Sequence, residues 1–336
     1  MNNERKITDK CLRFLKDWTL PVAMTIGITV YFLFSRIPVL QPVGTFFSPI
    51  FYTIFPVFMF CILYITFCHV DFRRLRPVMW HLFVALFQVT FICILMGIIL
   101  TQHPAVGSEE LILLESLLCC VIAPCASAAP VVTQKLGGKL EQMTTYTFLS
   151  NFITALFIPI CFPMVEKSAD IGFLPALLNI LHQVCIILLV PMFLAFLTKH
   201  FLHGLHRFIL SVKNLSFYLW AISLAIISGI TVNNIVTAEA SALLLFVIAL
   251  LGFVLCIVQF AVGRWIGHYF GSVVESGQGL GQKNTAFAIW ISYTYLNPLS
   301  SVGPGCYVLW QNLINSIEIW QHMKKEKTAS KQEVES

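Results

Sequence analysis

Lys283 is the residue of this 336-residue chain whose position most directly indicates chemistry. It lies inside an apolar segment, in the run 277–285 that reads GQGLGQKNT. A lysine near the bilayer centre costs about 2.5–3.5 kcal/mol on insertion scales, so such a residue normally marks an ion or substrate pathway. The surrounding glycines predict an interrupted helix, and interrupted helices form the binding sites of many secondary transporters. We therefore expect the functional site at Lys283.

The amino-acid composition indicates a multi-pass membrane protein. Apolar residues make up 58% of the chain and charged residues 11%, whereas soluble domains carry about 25% charged residues. The net charge is +5, but the basic residues lie in short loops without interleaved aromatic residues and do not predict a nucleic-acid surface. We therefore expect membrane lipid, and no nucleic acid, among the partners.

Ten stretches are long and apolar enough to cross a bilayer, which takes about 20 mainly apolar residues. They are 18–35, 46–68, 80–100, 111–134, 142–164, 173–198, 214–235, 240–263, 268–295 and 301–322. A polar N-terminal segment, residues 1–17, and a C-terminal tail, residues 323–336, flank them. The sequence thus predicts an all-α polytopic membrane protein with ten transmembrane helices.

The basic residues sort to one side of the predicted membrane. Eighteen of the 21 lie in the terminal segments and the loops of that side, Arg36 and Lys167 lie on the other side, and Lys283 lies within a span. Because cytoplasmic loops carry an excess of lysine and arginine, both termini are predicted to be cytoplasmic. We expect an integral protein of the plasma membrane, which in a bacterium is the inner membrane.

The ten spans divide into two sets of five, residues 18–164 and 173–322. An odd number of spans per half makes the second half run opposite to the first, which is the inverted repeat of many secondary transporters. The fourth and ninth spans correspond, and both contain helix breakers: Pro124 and Pro130 in one, Gly279 and Gly281 in the other. Proline removes a backbone donor and glycine permits an unwound backbone, so both helices are predicted to be discontinuous.

These segments resemble those of the bile acid:sodium symporter family. In the fourth span, residues 124–132 and the pair Gly137-Gly138 match the family's Pro-x-x-x-Ala/Ser-small-Asn-Val pattern and its Gly-Gly turn. In the ninth span, residues 279–284 align with the Glu-x-Gly-x-Gln-Asn motif, and Gln88 matches a glutamine of the third span. The motifs agree in part, while the number and order of spans agree over most of the chain.

The resemblance implies a core domain of spans 3–5 and 8–10 that moves against a panel of spans 1, 2, 6 and 7. The broken fourth and ninth helices would cross at the bilayer midplane. The family relationship also implies transport of a small organic anion, usually together with sodium.

The family's sodium ligands are not kept in this chain. Carried over by position, they become Ala129, Pro130, Met143, Thr147, Gly279 and Lys283. Only Thr147 among these keeps an oxygen-bearing side chain, so the usual two sodium sites are not predicted. We predict no cofactor and no metal site, with a proton as the alternative coupling ion. A shifted register places Glu275 on the family's glutamate, which leaves a sodium-coupled symporter with a shifted site as an alternative.

Three roles are compatible with Lys283. Its ammonium group, near Gln88, can take the place of a sodium ion, either permanently or reversibly, because burial away from water disfavours a charged amine. It can instead bind a substrate carboxylate or sulfonate directly, aided by the positive end of a half-helix. It can also pair with Glu275, eight residues earlier, if the helix between them unwinds.

The remaining predictions concern the class of function and the extent of the site. No HExxH or GxSxG sequence is present, so we predict a transporter and no enzyme; a membrane sensor with a transporter fold is the alternative.

Glu115 and Glu318 are expected near the membrane interface. The substrate's identity and the oligomeric state stay open. We predict that the substrate contacts Lys283, Asn284, Thr285, Ala129, Pro130 and Asn312, and that ion coupling involves Lys283, Gln88, Gln282, Thr147 and Glu275.

Overall fold

The computed structural model describes residues 19–71, 74–165, 172–212, 215–237 and 240–335. Within these ranges the fold is all-α, without a β-strand. The helices are α1 (Thr19–Arg36), α2 (Gln41–Cys68), α3 (Met79–Gln102), α4 (Glu109–Ile122), α5 (Ala129–Lys135), α6 (Leu140–Val165), α7 (Phe173–Val184), α8 (Val190–Phe201), α9 (His203–Ser211), α10 (Leu215–Val236), α11 (Ala242–Phe270), α12 (Val273–Gly281), α13 (Thr285–Tyr295) and α14 (Val302–Glu335). A π-helical turn (Cys185–Leu189) joins α7 to α8, and a 3-10 turn (Pro298–Ser301) precedes α14.

Five helical segments are long and apolar enough to cross a membrane. They are Met79–Gln102, Leu140–Val165, Phe173–Phe201, Tyr218–Val236 and Ala242–Phe270, and Pro21–Arg36 and Pro56–Cys68 are shorter apolar helices. Large apolar side chains are exposed along them, for example Leu243 and Phe246 on α11, which is the pattern of a surface that meets lipid. The chain is therefore an integral, multi-pass membrane protein, as its composition predicts.

Several predicted boundaries differ from the structure. The second span is expected to begin at residue 46, whereas α2 begins at Gln41. The ninth span is expected to begin at residue 268, but the helix of the eighth span, α11, continues to Phe270, and α12 begins at Val273. Gly271 caps the end of α11 with a φ of 63°, which favours glycine. The predicted tail from residue 323 is a continuation of α14, which extends to Glu335. The predicted N-terminal segment, residues 1–17, lies outside the described residues.

The helices pack in two groups. In the first group, helices α1, α2 and α10 contact one another and α8 packs against α2. Helices α3, α4, α6, α11, α12 and α14 form a second set of mutual contacts. The short helices α5 and α13 belong to the second set through α6 and α14, respectively. The second set therefore holds both interrupted segments.

Both interrupted segments are broken helices. Helix α4 ends at Ile122, and Ala123 takes an extended conformation because a following proline disfavours the helical one. Helix α12 ends at Gly281, and Gln282 is also extended, with φ of −91° and ψ of 99°. The Asn284 side chain then accepts a hydrogen bond from the Phe287 amide and caps the start of α13.

Helix α12 fits into the second group because two of its residues lack a side chain. A Cβ atom on Gly281 would lie 2.3 Å from the Phe260 ring of α11, and one on Gly279 would lie 3.0 Å from the Tyr146 ring of α6. The first distance is too short for a real Cβ contact, and the second is so tight that the Tyr146 ring would have to shift by a few tenths of an ångström. The glycines therefore set how closely α12 approaches α11 on one side and α6 on the other.

Candidate functional site

The site is built where the two breaks meet. The Ala126 amide donates to the Gln282 carbonyl at 2.9 Å, and the Asn284 amide donates to the Pro124 carbonyl at 2.8 Å. These bonds form an isolated antiparallel bridge between Cys125 and Lys283. The bridge satisfies backbone groups that the helix ends would otherwise leave unpaired, so each break stabilises the other.

The Lys283 ammonium group is buried at this meeting point and is only 1% exposed. Its Nζ atom donates to the Val121 carbonyl at 3.1 Å and to the Ala123 carbonyl at 3.3 Å. These carbonyls lie at the C-terminal end of α4, which carries the negative end of the helix dipole. The ammonium group therefore binds main-chain oxygens of a broken helix, as a bound cation would.

Gln88 of α3 contacts the same two carbonyls. Its Nε2 atom donates to Val121 O at 3.0 Å and to Ala123 O at 3.2 Å. The Tyr146 hydroxyl donates to Gln88 Oε1 at 3.4 Å and helps to orient the amide. The structure thus brings together Gln88 and Lys283, two of the residues predicted for ion coupling.

The backbone of Lys283 is fixed by Gln311 of α14. Gln311 Oε1 accepts from the Lys283 amide at 2.8 Å, and Gln311 Nε2 donates to the Lys283 carbonyl at 3.1 Å. The same nitrogen lies 3.4 Å from Thr285 Oγ1. Gln311 is absent from the sequence-based predictions, although it adjoins the predicted Asn312 on the same helix. The signal available in the sequence was that Gln311 directly precedes Asn312, so that two amide side chains are adjacent within an apolar span.

An apolar cluster fills the region of several predicted sodium-ligand positions. Ala129 and Met143 pack there with Tyr146, Trp80 and other buried residues. The Tyr146 and Trp80 rings also lie 3.0 and 3.2 Å from where a side chain at Gly279 would begin. No room is left beside these rings for a carboxylate at that position.

Thr147 and Gln282 are buried close to the bridge. Thr147 Oγ1 donates to the Met143 carbonyl at 3.0 Å and lies 3.8 Å from the Cys125 sulfur. Gln282 is fully buried, and neither of its side-chain polar atoms has a partner among the described residues. The structure therefore places both residues beside the meeting point without joining them to the Lys283 ammonium group.

The two carboxylates nearest in sequence to the breaks lie elsewhere. Glu275 Oε1 accepts a hydrogen bond from the Lys139 amide at 2.7 Å, just before α6 begins. Glu275 lies in the first turn of α12, at the opposite end of that helix from the break. Among the described ion pairs none joins Glu275 to Lys283. Glu115, which is predicted near the membrane interface, is fully buried among the helices, and its Oε2 atom accepts from Ser300 Oγ at 2.5 Å. Glu318, 21% exposed, lies nearer the surface.

A cavity of about 40 Å³ adjoins the bridge on the side of α2 and α10. It is lined by Met59, Ile62, Leu63, Ala126, Ser127, Trp220, Ser223, Leu224, Ile227, Lys283, Asn284, Thr285, Ala286, Val308 and Gln311. Of the predicted substrate contacts, Lys283, Asn284 and Thr285 line the cavity. Ala129, Pro130 and Asn312 are buried but do not line it.

Apolar helices that enclose a buried lysine between two broken helices are typical of secondary transporters. The family model described as the Sodium Bile acid symporter family matches residues 56–238, just over half of the chain. The chain belongs to this family, as its motifs predict, and so to a family of transporters and not of enzymes. The matched region contains Gln88 and the first break but ends before Lys283. A comparison with curated proteins gives no match.

Proposed function

We propose that the protein moves a small organic anion across the membrane by alternating access, and that the Lys283 ammonium group replaces the sodium ion. One observation carries the proposal: both Nζ hydrogen bonds of Lys283 go to main-chain carbonyls at the end of α4. Exposed carbonyls of broken helices are the groups that coordinate sodium in other secondary transporters. A cation tethered to the chain satisfies them without a sodium ion.

The surroundings of Lys283 support a surrogate cation over the two other roles. A direct anion ligand would turn most of its N–H groups to the substrate, yet two of the three N–H groups of the ammonium are engaged with Val121 and Ala123. Pairing with Glu275 is disfavoured because that carboxylate holds the Lys139 amide. The shifted sodium site built on Glu275 is disfavoured for the same reason.

Matched contacts in the two halves support inverted repeats of five spans each. In the first half, Tyr146 donates to Gln88, which donates to the end of α4. In the second half, Gln259 donates to the Tyr307 hydroxyl, which donates to the Gly281 carbonyl at the end of α12. Each half thus uses one glutamine and one tyrosine at the end of its own broken helix.

The size of the cavity supports alternating access. About 40 Å³ accommodates roughly one water molecule, whereas sites for small organic ligands measure about 300–1,000 Å³. One wall belongs to α2 and α10, and the other belongs to the helices that carry the bridge. Separation of the two helix groups would enlarge the cavity beside Lys283. We propose that these groups are the panel and the core, with both termini in the cytoplasm of the cell.

Flux measurements in proteoliposomes test the proposal. A thermal-shift screen of carboxylate and sulfonate anions first supplies a ligand, and its counterflow is then measured in sodium-free choline buffer at two pH values. Saturable counterflow without sodium is expected. If a proton gradient drives uptake, the Lys283 amine loses and regains its proton during transport. If it does not, the amine stays protonated throughout the cycle. Binding without flux would favour the sensor alternative, and an absolute sodium requirement would contradict the surrogate role.

A further inference from the structure

Five fully buried polar atoms lie along three helices on one side of the bridge. They are Thr133 Oγ1 on α5, Gln278 Oε1 on α12, both side-chain polar atoms of Gln282 at the end of α12, and Asn315 Nδ2 on α14. None has a hydrogen-bond partner within the described part of the chain. Because α5 contacts both α12 and α14, and these connect through Gln278, the atoms lie on three helices that contact one another. We refer to the region between these helices as the cleft.

The cleft has an ordered polar end. Gln278 Nε2 donates to Asn315 Oδ1 at 3.0 Å and to Glu318 Oε2 at 3.1 Å. Glu318 forms an ion pair with Arg264, and their side chains are 21% and 41% exposed. Gln282 follows Gln278 by four residues and lies next to Lys283. The polar groups therefore extend from a partly exposed ion pair to the bridge.

The types of atom indicate which ligand fits. The five atoms include amide nitrogens that only donate, amide oxygens that only accept, and a hydroxyl that does both. A bare cation needs acceptors alone and an anion needs donors alone, whereas water uses both. Buried polar groups without protein partners are typically satisfied by ordered water that makes about three hydrogen bonds.

The side of the bridge formed by the residues of α4 and α13 next to the breaks is mostly apolar. The buried residues there include Leu118, Cys119, Cys120 and Val121 on α4 and Phe287, Ala288, Ile289 and Ile291 on α13. The buried hydroxyls of α13 have partners within the protein: Thr285 Oγ1 accepts from Gln311 Nε2, and Ser292 Oγ donates to the Ala288 carbonyl. Unpaired polar atoms are therefore found among the buried residues of α12 and at its break, and not among the buried residues of α13.

We propose that the cleft between α5, α12 and α14 binds a file of water molecules that leads from the Arg264–Glu318 pair to Gln282 and the bridge. The file hydrates the break of α12 from the side that carries the basic loops. Its consequence for transport, that water and protons reach Lys283 through this file, rests on the proposed function. The hydration itself does not depend on what Lys283 does.

Hydrogen–deuterium exchange of the full-length protein in lipid nanodiscs tests the water file. A larger share of residues is buried in α12 than in α13, so burial alone predicts that the amides of α12 are protected at least as well as those of α13. Access to water predicts exchange about tenfold faster in α12 than in α13. Thr133→Val removes a hydroxyl at nearly constant volume, and Asn315→Leu removes an amide. Each variant is expected to slow exchange in α12 by several-fold and to leave α13 unchanged.

The matched control is Ser292→Ala, which removes a buried hydroxyl on the apolar side and should leave α12 unchanged. Equal protection of the two helices in the wild-type protein would overturn the proposal, as would unchanged or faster exchange of α12 in both cleft variants. Lys283→Gln separates this proposal from the proposed function. Loss of the α12–α13 difference in the cleft variants supports the water file even if Lys283→Gln leaves transport unaltered.

Discussion

Lys283 and Gln88 donate hydrogen bonds to the same two main-chain oxygens, those of Val121 and Ala123. One donor is a charged amine from the ninth predicted span, and the other is a neutral amide from the third. Together they satisfy the carbonyls at the end of α4, which a broken helix leaves without intrahelical partners. The shared acceptors couple the cation to the glutamine and locate the centre of the site.

This shared contact predicts energetic coupling between the two side chains. Gln88→Leu and Lys283→Met should each lower the free energy of unfolding in mixed micelles by about 1–3 kcal/mol, because each leaves buried carbonyls with one donor fewer. In a double-mutant cycle the two changes should be non-additive by about 0.5–3 kcal/mol. The control pair, Gln88→Leu with Ser228→Ala on α10, should be additive. Additivity of the first pair would show that the shared carbonyls do not link them.

The packing of α12 predicts strong intolerance of a methyl group at Gly281. Gly281→Ala would place Cβ 2.3 Å from the Phe260 ring, an overlap that costs about 1–3 kcal/mol or more. Gly97→Ala is the matched control, since nothing lies within 4 Å of a Cβ there. Alanine is also the better helix former by up to about 1 kcal/mol. Thermal unfolding in detergent should show a lower midpoint for the first variant and an unchanged or higher one for the second.

Gln311 is expected to be a positioning residue for Lys283. Gln311→Leu removes the groups that bind the Lys283 amide and carbonyl, so the break should become less ordered and the free energy of unfolding should fall by about 1–3 kcal/mol. Anion affinity should fall as well, because Gln311 and Lys283 line the same cavity. Gln311→Glu keeps the acceptor for the Lys283 amide and should retain part of the affinity. Equal affinities in both variants and the wild-type protein would exclude this role.

Glu275 is expected to be structural. Glu275→Gln keeps an acceptor for the Lys139 amide but removes the charge at the start of α6, which should cost about 0.3–1 kcal/mol of stability. The response of transport to sodium should stay as in the wild-type protein. Glu110→Gln, an exposed change in the first turn of α4, controls for net charge. A sodium response lost only in Glu275→Gln would revive the shifted sodium site.

The sequence predicted the membrane class, the family and the two breaks because these depend on local signals. Apolar stretches, Pro124 and the glycines of the ninth span act within a few residues of their own position. The sequence also identified Lys283, because a lysine far from both ends of a span carries a free-energy cost of membrane insertion that its neighbours in the sequence do not lower.

The hydrogen-bond partners of Lys283 could not be predicted from its neighbours in the sequence. Val121 and Ala123 lie some 160 residues away and bind the amine through backbone atoms, which carry no sequence signature. The burial of Glu115 among the helices was not predicted, for a related reason. Its partner Ser300, 185 positions later in the chain, supplies a hydrogen bond of the kind that a buried carboxylate needs.

The response of Lys283→Gln to sodium tests the central claim most directly. With the ammonium group removed, the carbonyls of Val121 and Ala123 keep the Gln88 amide as a donor. The lone pairs that Lys283 occupied and the introduced amide oxygen at position 283 are then available to coordinate an ion. We predict that sodium, and not choline, then raises the thermal stability and stimulates anion flux, whereas the wild-type protein shows neither effect. Lys283→Met, which supplies no oxygen, should lose flux without gaining a sodium response. Flux, pH profile and sodium response identical to those of the wild-type protein in Lys283→Gln would contradict the account.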